Sequence, residues 1–64
     1  MGYKIRTARQ KAHMTQAELS AKSGVSRATI SGLESGRVKV TTTETLLKIA
    51  AALGEDVEHI FLSN

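Results

Sequence analysis

The 64-residue sequence contains no cysteine and no proline, and its aromatic content is one tyrosine and one phenylalanine. Without cysteine there is neither a disulfide framework nor a thiolate zinc site. With so few aromatics the chain lacks the stacking platform on which single-strand and RNA binders hold bases. His13 and His59 have no ligand partner at metal-binding spacing, so neither a metal nor any other cofactor is expected. There is no P-loop and no G-x-G-x-x-G, and most serines fall at helix caps rather than in a Ser/His/Asp set. An enzyme is therefore not expected. The longest apolar stretch, near Leu46 to Leu53, is interrupted by Lys48 and is too short to cross a bilayer. No N-terminal segment has the apolar length of a secretory signal. The expectation is one soluble, cytoplasmic domain over residues 1–64, with no membrane partner and no small-molecule effector domain.

Charge is present but unevenly spread. Residues 1–40 carry eight basic side chains (Lys4, Arg6, Arg9, Lys11, Lys22, Arg27, Arg37 and Lys39) against Glu18 and Glu34, a net +6. Residues 41–64 carry Lys48 against Glu44, Glu55, Asp56 and Glu58, a net −3. A basic portion facing a polyanion is one reading and ordinary surface charge is the other; charge alone leaves both open.

Five short helices are expected, the first over about Tyr3 to Ala12. The second opens at Thr15 with Glu18 in capping-box spacing, has Met14 and Leu19 at staple spacing, and stops at Gly24. The third follows at once from Ser26 as cap, with Val25 and Ile30 as its staple and Gly36 as its stop. The fourth begins in the threonine run 41–43, with either Thr41 or Thr42 as cap. Its Leu46, Leu47, Ile49, Ala50 and Leu53 form a wide apolar stripe before Gly54. Asp56 caps a last turn in which Val57, Ile60 and Phe61 close the core. Cap, period and stop agree, so the expected fold class is all-α.

Two short helices joined by a tight glycine turn, over about residues 15–35, have the spacing of a helix-turn-helix, whose second helix enters the major groove of DNA. An ordinary helical hairpin has the same coarse pattern. With Ile30 and Leu33 inward, the third helix turns Arg27, Ala28, Ser31, Gly32 and Ser35 outward. Arg27, in the first turn, suits guanine O6 and N7, a phosphate clamp or a solvated arginine being the other possibilities. Ala28 offers a methyl group to thymine, and Ser26, Thr29 and Ser31 can bond to a base or a phosphate. Gln16 at the start of the second helix, with Ser35, Arg37 and Lys39 beyond the third, are the candidate phosphate contacts.

The run MTQAELSAKSGVSRATISGLESG resembles the lambda-repressor-like, Cro/Xre-type helix-turn-helix family. Ile5-Arg6-x-Ala8-Arg9, Thr45-Leu-Leu-Lys-Ile-Ala50 and Val57 to Phe61 resemble its first, fourth and last helices, so the resemblance covers roughly residues 3–62. It implies a compact five-helix DNA-binding domain that reads bases through Ser26, Arg27, Ala28 and, more weakly, Gly32. It also implies a phosphate contact at Gln16 and a buried or half-buried ion pair between Arg9 and Glu34. Four features depart from the family pattern. Gly32 replaces a frequent long polar residue, and Ser20 replaces an alanine, its hydroxyl expected to bond a carbonyl one turn earlier. His13 stands where glycine is common, and the loop after Gly36 lacks a frequent proline and is a residue longer. The partners expected are double-stranded DNA, bearing a palindromic operator, and a second copy of the chain. Val57, Phe61 and Leu62 are the candidate dimer contacts, with Ile60 read as core. The other reading is a protein-interaction module, of antitoxin or adaptor type, that keeps the fold without reading DNA.

Overall fold

A computed structural model describes residues 4–38 and 40–61, apart from the Phe61 side chain. Among these residues there are five helices and no strand: α1 (Ile5–Lys11), α2 (Gln16–Ser23), α3 (Arg27–Ser35), α4 (Thr43–Leu53) and α5 (Val57–Phe61). No described helix is long and apolar enough to cross a membrane.

The caps explain why the helices begin where they do. Thr15 Oγ1 accepts from the Glu18 amide at 3.0 Å, and Glu18 Oε1 accepts from the Thr15 amide at 2.8 Å. This closes the capping box and satisfies two amides that lack an intrahelical partner. Ser26 Oγ accepts from the Thr29 amide at 3.2 Å. At α4 the choice falls on Thr42, whose Oγ1 accepts from the Thr45 amide at 3.1 Å.

Ile5, Leu19, Ile30, Leu33, Ile49 and Ile60 are fully buried, one or two from each helix, with Ala8, Val25, Ala50 and Ala52 filling between them. Met14, Val38, Leu53 and Val57 pack on the outside of this cluster. The Lys4 amide donates to the Ile60 carbonyl at 2.8 Å, tying the start of α1 to α5.

The turn between α2 and α3 is held from within α2. Ser20 Oγ donates to the Val25 carbonyl at 2.7 Å, not to a carbonyl one turn back as the sequence suggests. The carbonyl one turn back already serves the α2 ladder, whereas that of Val25 lies in the turn and needs a donor. Ser20 thereby clamps the angle at which α3 leaves α2, and Gly24 supplies the left-handed residue (φ 77°) that makes the turn.

Helix α1 ends in a Schellman motif without glycine. The Met14 amide returns to the Arg9 carbonyl (3.1 Å) and the His13 amide to the Gln10 carbonyl (3.0 Å), with His13 held at φ 57°. A side chain in this conformation costs about 1–2 kcal/mol that glycine does not. His13→Gly is therefore expected to raise stability, by about 1 kcal/mol after the extra entropy of an unfolded glycine is set against it. Urea denaturation followed by circular dichroism checks the sign.

Candidate nucleic-acid interface

The site is built on the outward side of α3 and the two chain segments that flank it. Arg27 and Ala28 are exposed in the first turn, Ser31 is half-buried, and Ser35 is exposed in the last. Arg27 makes no ion pair or side-chain hydrogen bond among the described residues, so its five N–H donors face solvent. Ser26 and Thr29 are engaged with each other: Ser26 Oγ donates to Thr29 Oγ1 at 2.8 Å while also capping the helix. The Ser26 proton is thus spent inside the protein, and the outward donor of this pair is the Thr29 hydroxyl.

Glu34 is the single acid in α3, and its position decides the sign of the surface. Its side chain is only 1 % exposed and meets Arg9 side-on, Nε to Oε2 at 2.8 Å and Nη2 to Oε1 at 3.0 Å. Arg9 Nη1 donates further to the Met14 carbonyl at 2.9 Å. Two more donors reach Oε1 of Glu34, Gln16 Nε2 at 3.1 Å and Arg6 Nε at 3.5 Å. Burial pushes the Glu34 carboxyl up, but the bonds from Arg9, Gln16 and Arg6 and the Arg9 charge outweigh it and hold the group below its ordinary value. The Glu34 hydrogen bond raises Arg9 in turn, against the lowering effect of its burial. The one negative charge of α3 is therefore neutralised inside and does not oppose a phosphate backbone outside.

Several sequence-derived positions take on different roles in the structure. Gly32 is expected outward but is buried: a Cβ there would lie 2.5 Å from Val38 Cγ2 and 3.3 Å from Val38 Cβ. The chain after Gly36 folds back across α3 and covers it, so Gly32 presents no surface to a base. Gln16 is half-buried, with one amide proton committed to Glu34; the other remains for an external acceptor. Ser35 Oγ donates to the Gly32 carbonyl at 3.2 Å and accepts from the Arg37 amide at 3.3 Å, pinning the loop that follows. Arg37 is exposed. Lys39 and Leu62 lie outside the described residues, as does the side chain of Phe61, while Val57 packs half-buried on the core and Ile60 is fully buried within it.

Sequence reading did not find Arg6, Val38 or the Met14 carbonyl. Arg6 and Arg9 are three residues apart and so share a face of α1, which was the available signal. The other two contacts depend on where loops return and leave no periodic trace. Elsewhere, no three His, Cys, Asp or Glu side chains of the described residues come together as a metal site. His59 Nδ1 faces Glu55 Oε1 at 3.1 Å on the α5 side, where a shallow groove of mixed charge runs between α1 and α5 and touches neither α2 nor α3.

Comparison with known proteins gives one family match: a model described as helix-turn-helix covers residues 5–60. No curated protein matches the chain.

Proposed function

Because the chain belongs to the lambda-repressor-like helix-turn-helix family of DNA-binding transcription regulators, we propose that it is a sequence-specific regulator of repressor type. It acts in the cytoplasm as a homodimer on a palindromic duplex site. The observation that carries this reading is the exposed Arg27 guanidinium in the first turn of α3, unpaired among the described residues, on a helix whose only carboxylate is neutralised internally. Recognition helices touch base edges with that turn, and an arginine fork matches guanine O6 and N7. Ala28 lies beside it for a thymine methyl, with the Thr29 and Ser31 hydroxyls flanking.

Phosphates are gripped at the ends. The remaining Gln16 amide proton and the first amides of α2 face one strand, where the helix dipole favours an anion. Lys39, which follows α3 in the sequence, is the other proposed phosphate contact. A face this small reads only a few base pairs, which is the argument for two copies on half-sites one helical turn apart. Val57, Phe61 and Leu62 are the proposed contacts between copies.

The reading is tested by selecting bound duplexes from a random library, followed by gel-shift titrations of the preferred site at several salt concentrations. The expected result is a short palindrome bound with an affinity that falls steeply with salt. Arg27→Ala is expected to weaken that site by about 1–3 kcal/mol and to relax one base pair in each half. Salt-sensitive binding without any sequence preference would defeat the proposal. The alternative, a protein-interaction module, is favoured by the exposed apolar side chains Val40 (87 %) and Leu47 (51 %). It predicts no selection from the library at all.

A further inference from the structure

Gly32 leaves a notch on the side of α3 that carries Ala28 and Ser35, and the chain beyond the helix fills it in a defined way. After Gly36 (φ 82°) the Arg37 amide does not return to the Gly32 carbonyl, as a Schellman ending would have it. It bonds instead to Ser35 Oγ at 3.3 Å, and the Gly32 carbonyl accepts from the next amide, that of Val38, at 3.0 Å. The chain therefore runs one residue further before it closes. Val38 then drops onto Gly32, and the Arg37 side chain is drawn back along the helix. Arg37 Nη2 comes 3.7 Å from the place a Gly32 Cβ would occupy.

The arginine lies where a side chain of the second helical turn would begin. It is exposed and makes no ion pair among the described residues, because Glu34 is taken by Arg9 on the inner side. The Ser35 hydroxyl, the Gly32 carbonyl and the Val38 packing fix the backbone from which it projects. With the backbone so fixed, the 3.7 Å approach of Nη2 places the guanidinium beside the outward face of α3, about one and a half turns beyond Arg27 along the helix.

We propose that Arg37 is a base-reading residue, contributed by the loop in place of the side chain that Gly32 lacks, and that it recognises a guanine edge next to the bases read from the first turn. This rests on the DNA-binding reading above. It assigns Arg37 a different task from the phosphate contact suggested by its position in the sequence. A phosphate clamp needs only charge, whereas a guanine reader needs the planar fork, and lysine separates the two.

The test compares the wild-type chain, Arg37→Ala, Arg37→Lys and Arg27→Ala. Each is selected against a random duplex library and then titrated on the wild-type site and on an unrelated duplex. Circular dichroism melting controls for folding, which an exposed side chain should not disturb. The expected result is that Arg37→Ala loses preference at one base pair per half-site, distinct from the pair lost in Arg27→Ala. Its affinity for the preferred site should fall about 5- to 150-fold, and that for the unrelated duplex far less. Arg37→Lys should restore affinity only in part and not restore the preference. If Arg37→Ala weakens both duplexes equally and selects the wild-type sequence, or if lysine restores the preference, Arg37 is a phosphate contact and the inference is overturned while the DNA-binding reading stands. If the wild type itself selects nothing, both fall together.

Discussion

Glu34→Ala is expected to lower folding stability by about 3–5 kcal/mol, more than any other exchange of a polar side chain in this chain. The reason is what the substitution leaves behind. Arg9 is 14 % exposed and directs two of its nitrogens at Glu34, so removing the carboxylate strands a largely buried cation with only the Met14 carbonyl as partner. Gln16 and Arg6 lose the same acceptor. The residual exposure of Arg9 lets water reach part of the guanidinium, which places the effect toward the lower end of the range. Domains of this size have about 3–5 kcal/mol of stability in all, so the variant should be substantially unfolded at physiological temperature. Thermal and urea denaturation measure the loss, and a midpoint within error of wild type would refute the assignment of this pair to the core. Replacing both partners, Arg9→Met with Glu34→Leu, should recover most of the stability, because neither charge then has to be desolvated.

The same group gives the pH dependence a sign. The Glu34 carboxyl is lowered in the folded state, so its contribution is complete above the unfolded value of about 4.3. It is lost as pH falls from there through the folded value, when the carboxylate must take up a proton. Glu34→Gln removes this titration while keeping an acceptor for Arg9. Its stability should therefore change less than that of wild type across the acid range, from a lower starting point at neutral pH.

Much of this was legible in the sequence, for a physical reason. Caps and stops are local: Thr15 with Glu18, Ser26 with Thr29, and the glycines at 24, 36 and 54 all act within a turn of themselves, so spacing alone reveals them. The α3 stripe of Ile30 and Leu33 follows from helical period in the same way. What spacing could not reveal is where a long side chain goes when two acceptors compete for it. Gln16 has the helix position of a phosphate contact, yet one of its protons is held by a carboxylate eighteen residues away. Ser20 likewise has an acceptor available within its own helix and uses one in the turn. The Arg9 and Glu34 pairing was implied by family resemblance; its extension to Arg6 and Gln16 is tertiary information.

Gly32 shows this limit most clearly, and it provides a test whose two readings differ in sign. Helical period places residue 32 within the outward sector of α3, since period reports only the angle about the axis. If that face were open, Gly32→Gln would gain helix propensity and raise stability by roughly 0.5 kcal/mol. In the structure the loop after the helix covers the position, and even a Cβ would lie 2.5 Å from Val38 Cγ2, too close for two non-bonded carbons. Val38 is β-branched and cannot turn its methyl aside freely, while its amide is held on the Gly32 carbonyl at 3.0 Å. The added side chain must expel Val38 from the half-buried site it occupies against the core, and with it the hydrogen bond that closes the loop. Gly32→Gln is accordingly expected to destabilise the fold by about 1–3 kcal/mol, toward the upper end because a long side chain has nowhere to retract. In a Val38→Ala background the 2.5 Å contact is gone and the 3.3 Å contact to Cβ and the 3.7 Å approach of Arg37 Nη2 remain, so the cost of Gly32→Gln should shrink by at least about 1 kcal/mol. A double-mutant cycle on these two positions, followed by urea denaturation, measures that coupling. Additive effects, or a stabilised Gly32→Gln, would mean that the loop does not rest on α3.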